Sequence, residues 1–169
     1  MYLVISSSLN DYSKSRIMAH YAYDLYHQNA ELLDLNDYDL PICDGGKCYD
    51  EPIVKDLKKI ISNADSIILA SPIYNYDFNA VAKNLIELTG QSWNDKIVGF
   101  IAAAGGITSY MSPISFANIL MMDFRCFIIP RYVYADKSCF FENGEIIDKI
   151  KIRIKELVDK TILLANALS

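Results

Sequence analysis

Asp65-Ser66-Ile67-Ile68-Leu69-Ala70-Ser71 (residues 65–71) is the stretch whose reading decides the fold. Its apolar residues are consecutive rather than alternating, which is the pattern of a strand covered on both faces. Working outward, residues 2–6 and 96–104 repeat that pattern, and residues 31–35 and 124–129 carry it more weakly, the last closed by Pro130. Helical periodicity fills the intervals. Ile17, Met18, Tyr21, Leu25 and Tyr26 share one face of a helix over about 15–28, and Ile53, Val54, Leu57, Ile60 and Ile61 mark a second. A third spans 78–90 with Val81, Leu85 and Leu88 inward and Gly90 as its stop. A fourth spans 108–122, and a fifth starts near Ile146 with Ile150, Ile154, Leu157 and Leu164 in step. Five rounds of strand and helix predict an α/β protein: a doubly wound, five-stranded parallel sheet of order 2-1-3-4-5 between two helical layers. One domain over residues 1–169 is expected.

Composition narrows the function. Of 169 residues, 52% are hydrophobic and 22% charged, enough for a substantial core. A net charge of −5, from 16 basic and 21 acidic side chains, argues against nucleic acid as partner. No apolar run reaches the ~20 residues that span a bilayer, and residues 1–8 have no basic flank of a signal peptide. The cytoplasm is the expected compartment, with Cys43, Cys48, Cys126 and Cys139 as thiols.

In an order 2-1-3-4-5, ligands bind beyond the carboxyl ends of strands 1, 3 and 4. After the first strand come Ser6-Ser7-Ser8-Leu9-Asn10-Asp11-Tyr12-Ser13-Lys14-Ser15-Arg16. Serine hydroxyls, free helix N–H groups and the cations of Lys14 or Arg16 suit a phosphate monoester; a plain serine-rich turn with Ser13 as N-cap is the alternative. After the third come Pro72-Ile73-Tyr74-Asn75-Tyr76, with Pro72 expected to end the strand. Two tyrosines beside an amide suit a flat heteroaromatic ring, unless they merely pack on the domain. After the fourth, Gly105-Gly106 leaves bare backbone that a ligand can approach, or a tight turn. A ligand with a phosphate at one end and a planar ring at the other would touch all three loops. Neither a P-loop nor G-x-G-x-x-G is present.

These residues resemble the NAD(P)H-dependent FMN reductase family of flavodoxin-like proteins. The resemblance rests on Ser7-Ser8-Leu9-Asn10 with Ser13-Lys14-Ser15, on Pro72-Ile73-Tyr74-Asn75 with Lys83-Asn84, on Gly105-Gly106, and on Asp39-Leu40-Pro41. It covers about residues 2–135. Asn10 stands where the family has arginine, Ser7 where it has glycine, and Asp77, Asn79 and Ala80 where it has small residues and Pro-Gly. The resemblance implies FMN as cofactor, its phosphate on Ser8, Asn10, Ser13, Lys14 and Ser15. It implies the ring against Pro72, Ile73, Tyr74, Asn75 and Tyr76, with Gly105 and Gly106 on the far side. It implies NADPH or NADH as hydride donor and a small-molecule acceptor such as a flavin, quinone, azo compound or metal ion. No catalytic side chain is required, in keeping with His20 and His27 both falling in the first helix.

A flavodoxin-type electron carrier or a non-catalytic flavin-binding protein is the alternative, although the carrier's Thr-rich phosphate loop is missing. A receiver domain would need acidic residues where Ser6-Ser7-Ser8 stand, and a serine hydrolase would need a histidine partner. Cys43-Asp44-Gly45-Gly46-Lys47-Cys48 reads as half a metal or redox site or as two loop thiols, with no metal expected. Asn143-Gly144 signals a turn before the last helix. The fourth helix is apolar almost all round, which predicts a homodimer or homotetramer interface on its outer side.

Overall fold

A computed structural model of the chain describes residues 1–168; Ser169, the end of the expected domain, lies outside the described residues. The apolar runs become β1 (Tyr2–Ser6), β2 (Ala30–Asp34), β3 (Ser66–Tyr74) and β5 (Ile97–Ala103), with α1 (Lys14–Asp24), α2 (Pro52–Asn63) and α3 (Ala80–Thr89) between them. β3 turns back on itself as the two-residue β4 (Asp77–Phe78). After β5 come α4 (Ile114–Phe124), β6 (Phe127–Ile128), β7 (Val133–Ala135) and α5 (Asp148–Leu168).

The ladder runs β2-β1-β3-β5-β6, all parallel, which is the expected order 2-1-3-4-5. Among the described residues the strands number seven rather than five, for two local reasons. β4 is the return of the β3 hairpin, and the fifth place is shared by β6 and β7, both paired to β5. From Ile128 to Val133 the chain uses two residues more than β5 uses from Val98 to Ile101. The surplus falls at Pro130, which has no N–H to donate, and at Arg131, whose φ is +63°. The sheet re-forms beyond them, and Arg153 donates to the Tyr132 carbonyl at 3.1 Å.

β3 shows why its sequence is uninterrupted. Ile67 and Leu69 face the core shared with Leu57, Leu85, Phe116 and Leu120 of α2, α3 and α4. Ile68 and Ala70 face the opposite core, with Met18 and Ala22 of α1 and Ile150, Ile154 and Leu157 of α5. Burial on two faces selects an apolar run, and the serines of the strand, Ser66 and Ser71, are small enough to be buried with it. Gly99 in β5 answers to the second layer: a Cβ there would stand 2.8 Å from Leu157 Cδ1, so any larger residue would require the Leu157 side chain to move.

Pro72 does not end β3, contrary to expectation. The strand continues to Tyr74, and Pro72 is in register with Ala103. β1 has already stopped opposite Ala70, so β3 is an edge on that side and a missing N–H leaves no ladder position empty. The fourth helix likewise begins at Ile114 rather than near Thr108, because Pro113 takes its N-cap; Ile107–Ser109 form one 3₁₀ turn instead. The third helix starts at Ala80, after the β4 return. The Asn143-Gly144 turn is present, with Gly144 at φ +85° and donating to the Phe141 carbonyl.

Trp93, the only tryptophan, is fully enclosed in a 3₁₀ turn after α3. Its Nε1 donates to Thr89 Oγ1 at 2.8 Å, and Thr89 in turn donates to the Leu85 carbonyl. No helix among the described residues is long and apolar enough to cross a membrane.

Candidate functional site

The sheet order brings the loops after β1, β3 and β5 to one rim. In the first loop, Ser8, Ser13 and Ser15 are all buried, while Asn10 is exposed. Ser13 is the N-cap of α1, its Oγ accepting from the Arg16 N–H at 3.3 Å and lying 2.9 Å from Ser15 Oγ. Capping and phosphate binding are therefore not alternatives, since the cap leaves the N–H groups of Lys14 and Ser15 without intrahelical acceptors. No acidic residue occupies the first turn of α1, so the positive end of its dipole is not neutralised there.

The two cations behave differently from a simple pair of phosphate ligands. Arg16 points back under the loop. Its Nε lies 2.6 Å from Asp34 Oδ2, and Nη2 donates to the Ser8 carbonyl at 3.0 Å and Nη1 to the Asn10 carbonyl at 3.1 Å. Lys14 Nζ stands 4.7 Å over the Phe140 ring and lowers the Asp136 carboxyl, which is held down chiefly by hydrogen bonds from Ser138. Asn10, in the arginine position of the resemblance, makes an Asx turn, accepting from the Tyr12 N–H at 2.9 Å.

Asn79, which sequence reasoning treated only as a departure, joins the first two loops. As N-cap of α3 its Oδ1 accepts from Ala82 N–H at 3.2 Å and from Ser7 Oγ at 2.9 Å. Its Nδ2 donates to the Ser7 carbonyl at 2.7 Å, and its N–H donates to Ser71 Oγ at 3.3 Å. Ser7, Ser71 and Asn79 are buried. An Asn just before a helical run was the available signal, but its reach to Ser7 spans 72 residues of chain.

The second loop is a hairpin. Pro72 and Ile73 are buried in its base; Tyr74 pairs with Asp77 across it, leaving Asn75 and Tyr76 at the tip with φ of +51° and +67°. Two positive φ angles are the pattern of a type I′ turn, where Asn is at home and glycine is preferred to tyrosine. Tyr74 and Tyr76 are each 55% exposed, so they do not pack on the domain as the plainer reading had it. We predict that Tyr76→Gly raises stability by roughly 0.5–1 kcal/mol, relief of the left-handed strain exceeding the entropy cost of glycine. A thermal melt unchanged or lowered would show that the turn is not strained.

Gly105 and Gly106 are exposed, and nothing lies within 4 Å of where a Cβ would sit on either. The loop is held from below. Tyr134 donates its hydroxyl to the Gly106 carbonyl and Tyr132 to that of Tyr110, and the Tyr110 ring lies 5.1 Å from that of Tyr132. Burial pushes Tyr132 up to about 12, so its hydroxyl keeps its proton at neutral pH. The alternation Tyr132-Val133-Tyr134 was the signal for this pair. Asn84, quoted in the resemblance, clamps the segment after β2, accepting from Cys43 N–H and donating to the Pro41 carbonyl, each at 2.9 Å. That segment borders a cavity of about 210 Å³ beside the first loop, lined by Leu9, Tyr38, Ile42 and Val81 among others. Larger clefts lie away from the rim, between α3 and α4 and beside α1.

The arrangement fits FMN. Serine hydroxyls gather at a helix N-terminus with no acidic residue in its first turn, two exposed tyrosines stand on the hairpin of the next loop, and open space covers the glycine loop. Residues 2–139 match the NADPH-dependent FMN reductase family. The chain belongs to that family. As an FMN reductase of this family it is an oxidoreductase dependent on FMN and NAD(P)H, and nothing favours a carrier without dehydrogenase activity. It is similar to an NAD(P)H-dependent FAD/FMN reductase of Geobacillus thermodenitrificans, 31% identical over 131 residues, covering 75% of this chain and 70% of that protein. An NADPH azoreductase of Bacillus sp. is 26% identical over 158 residues, 92% of this chain and 87% of the relative. Among solved structures, the flavoenzyme NAD(P)H:(acceptor) oxidoreductase FerB of Paracoccus denitrificans superposes with a TM-score of 0.80 at 20% identity, covering 98% of this FMN reductase and 97% of FerB. At that identity the likeness shows the flavodoxin-like fold alone.

Proposed function

We propose that the protein is a one-domain FMN reductase that oxidises NADPH or NADH at this rim and reduces a small diffusible acceptor, a flavin, quinone, azo compound or metal ion. The observation that carries the reading is the Asn79 tie, which sets the serine-lined N-terminus of α1 beside the exposed tyrosine hairpin. Bound FMN would supply hydride acceptance from the nicotinamide and electron delivery to the acceptor. The chain's residues do the rest. Ser8, Ser13 and Ser15, with the N–H groups of Lys14 and Ser15, hold the phosphate; Lys14 adds charge from its place over Phe140. Arg16 shapes the loop by holding its carbonyls and is not a ligand. Asn10 fixes the turn. Pro72, Ile73 and Asn75 offer backbone to one edge of the ring, Tyr74 and Tyr76 flank it, and Gly105 and Gly106 give it room. With Tyr132 and Tyr134 protonated and no histidine at the rim, no side chain needs to take up a proton.

The test is an absorbance spectrum of purified protein with FMN, before and after anaerobic NADPH. Bleaching of the flavin band, followed by recovery on adding a quinone, is expected. A protein that leaves micromolar FMN free in solution loses this reading, and one that binds it without bleaching is a carrier.

The finer expectations belong here too. Ile114, Met121 and Met122 on α4 remain 45–78% exposed while Phe116, Ala117 and Leu120 are buried, which supports a homodimer or homotetramer built on α4. A monomeric mass by light scattering at micromolar concentration would refute it. Four free thiols are consistent with a cytoplasmic enzyme.

A further inference from the structure

The segment after β2 carries two cysteines in a different setting from the other two. Cys43 Sγ and Cys48 Sγ are 4.0 Å apart. Cys48 is 4% exposed, packed with Val54 and Leu88, whereas Cys43 is half-buried and reachable from solvent. The link between them, Asp44-Gly45-Gly46-Lys47, is folded by Asp44, whose Oδ1 accepts from the N–H groups of Gly46 at 2.8 Å and Cys48 at 3.2 Å. Gly45 sits at φ +71°, open to no other residue without strain. Tyr49 Oη lies 3.5 Å from Cys43 Sγ. One accessible sulfur therefore faces one buried sulfur across a glycine-containing turn, and the two need to close only about 2 Å to bond.

We propose that Cys43 and Cys48 form a redox-active dithiol that is oxidised by hydroperoxides to an intramolecular disulfide, with Cys43 as the attacking sulfur and Cys48 as the resolving one. The Cys43 thiolate attacks the peroxide, the O–O bond breaks, and the products are a sulfenic acid on Cys43 and, after uptake of one proton, an alcohol or water. The Cys48 sulfur then attacks Cys43; the S–S bond forms, the S–O bond breaks, and hydroxide leaves with the Cys48 proton as water. The two sulfurs supply the two electrons that reduce the peroxide, and an external dithiol returns them by exchange. The surroundings agree with this division of labour. The Tyr49 hydroxyl and the Gly45 N–H hold the Cys43 thiol below its usual range, favouring the thiolate. Burial raises Cys48, which remains a thiol donating to Cys43 Sγ until it is called on. Cys126 shares none of this: it is buried, donates to the Trp93 carbonyl, and is pushed up to about 11 by burial.

Lys47 makes the test direct, because trypsin cuts between the two cysteines. Full-length protein is treated with equimolar hydrogen peroxide, alkylated and digested without reductant. The expected product is residues 17–47 joined to residues 48–55, separating on addition of dithiothreitol. Cys48→Ser should leave Cys43 as a sulfenic acid that a dimedone probe captures, and Cys43→Ser should leave Cys48 unlabelled. No joined peptide from wild type, or Cys43 carried on to sulfinic acid while Cys48 stays a free thiol, overturns the proposal. So does equal dimedone labelling of Cys43 in wild type and Cys48→Ser. None of these readouts involves flavin.

Discussion

Asn79→Ala should cost about 2–4 kcal/mol of stability and weaken FMN binding at least roughly tenfold. The first part sums a lost helix cap, typically about 1 kcal/mol, and an unmet buried carbonyl on Ser7, about 1–3 kcal/mol, while the Ser7 hydroxyl keeps the Ala70 carbonyl as acceptor. The chain should remain folded, since domains of this size carry about 5–15 kcal/mol. The second part follows from position. Asn79 is buried and joins Ser7 of the first loop to Ser71 of the second, beside the bonds from Ser7 to the Ala70 carbonyl. Without it the two halves of the site lose their shared reference. Asn79→Ser keeps a capping oxygen but cannot reach Ser7, so it should recover much of the stability and little of the affinity. Urea titrations paired with FMN fluorescence titrations separate the two losses. An alanine variant with wild-type affinity would mean that the loops are aligned by something else.

Arg16→Met should lower stability by about 2–3 kcal/mol, below the 3–5 of a fully buried pair because the Arg16 and Asp34 side chains keep 14% and 13% of their exposure. It strands Asp34 and frees the carbonyls of Ser8 and Asn10. Arg16→Lys should not rescue, since one ammonium cannot serve a carboxylate and two carbonyls at once. Arg16→Met combined with Asp34→Leu should regain part of the loss, because no unpaired charge remains. Thermal unfolding of the set decides the matter; a lysine variant that melts with wild type would sink the account.

What could be read from the sequence was whatever depends on local pattern. β1, β3 and β5 are legible because burial on both faces selects apolar runs that admit only small polar residues such as Ser6, Ser66 and Ser71, and the order follows from the parallel alternation. Pro72 was misread because a proline stops a strand only when a neighbour waits for its N–H, and whether β1 still runs beside it is a fact of tertiary structure. The split of β6 from β7 depends on Arg131 adopting a left-handed backbone, which no periodicity signals. At the rim, the serines and the tyrosine hairpin announce themselves by composition and by their place after strands. The direction of Arg16 does not: a basic residue beside a serine-rich loop looks the same whether it faces a phosphate or props the loop from behind. Asn79, Tyr132 and Tyr134 act across the chain, so only folding reveals what they hold.

The solitary indole has an optical consequence. Trp93 is wedged behind α3, the helix that Asn79 starts, and no second tryptophan competes with it. Its emission therefore reports one spot of the interior: blue while Thr89 and the surrounding hydrocarbon enclose it, red once water arrives. A yellow guest at the rim would dim that glow by energy transfer, so a single fluorimeter channel can follow both collapse of the chain and arrival of its pigment.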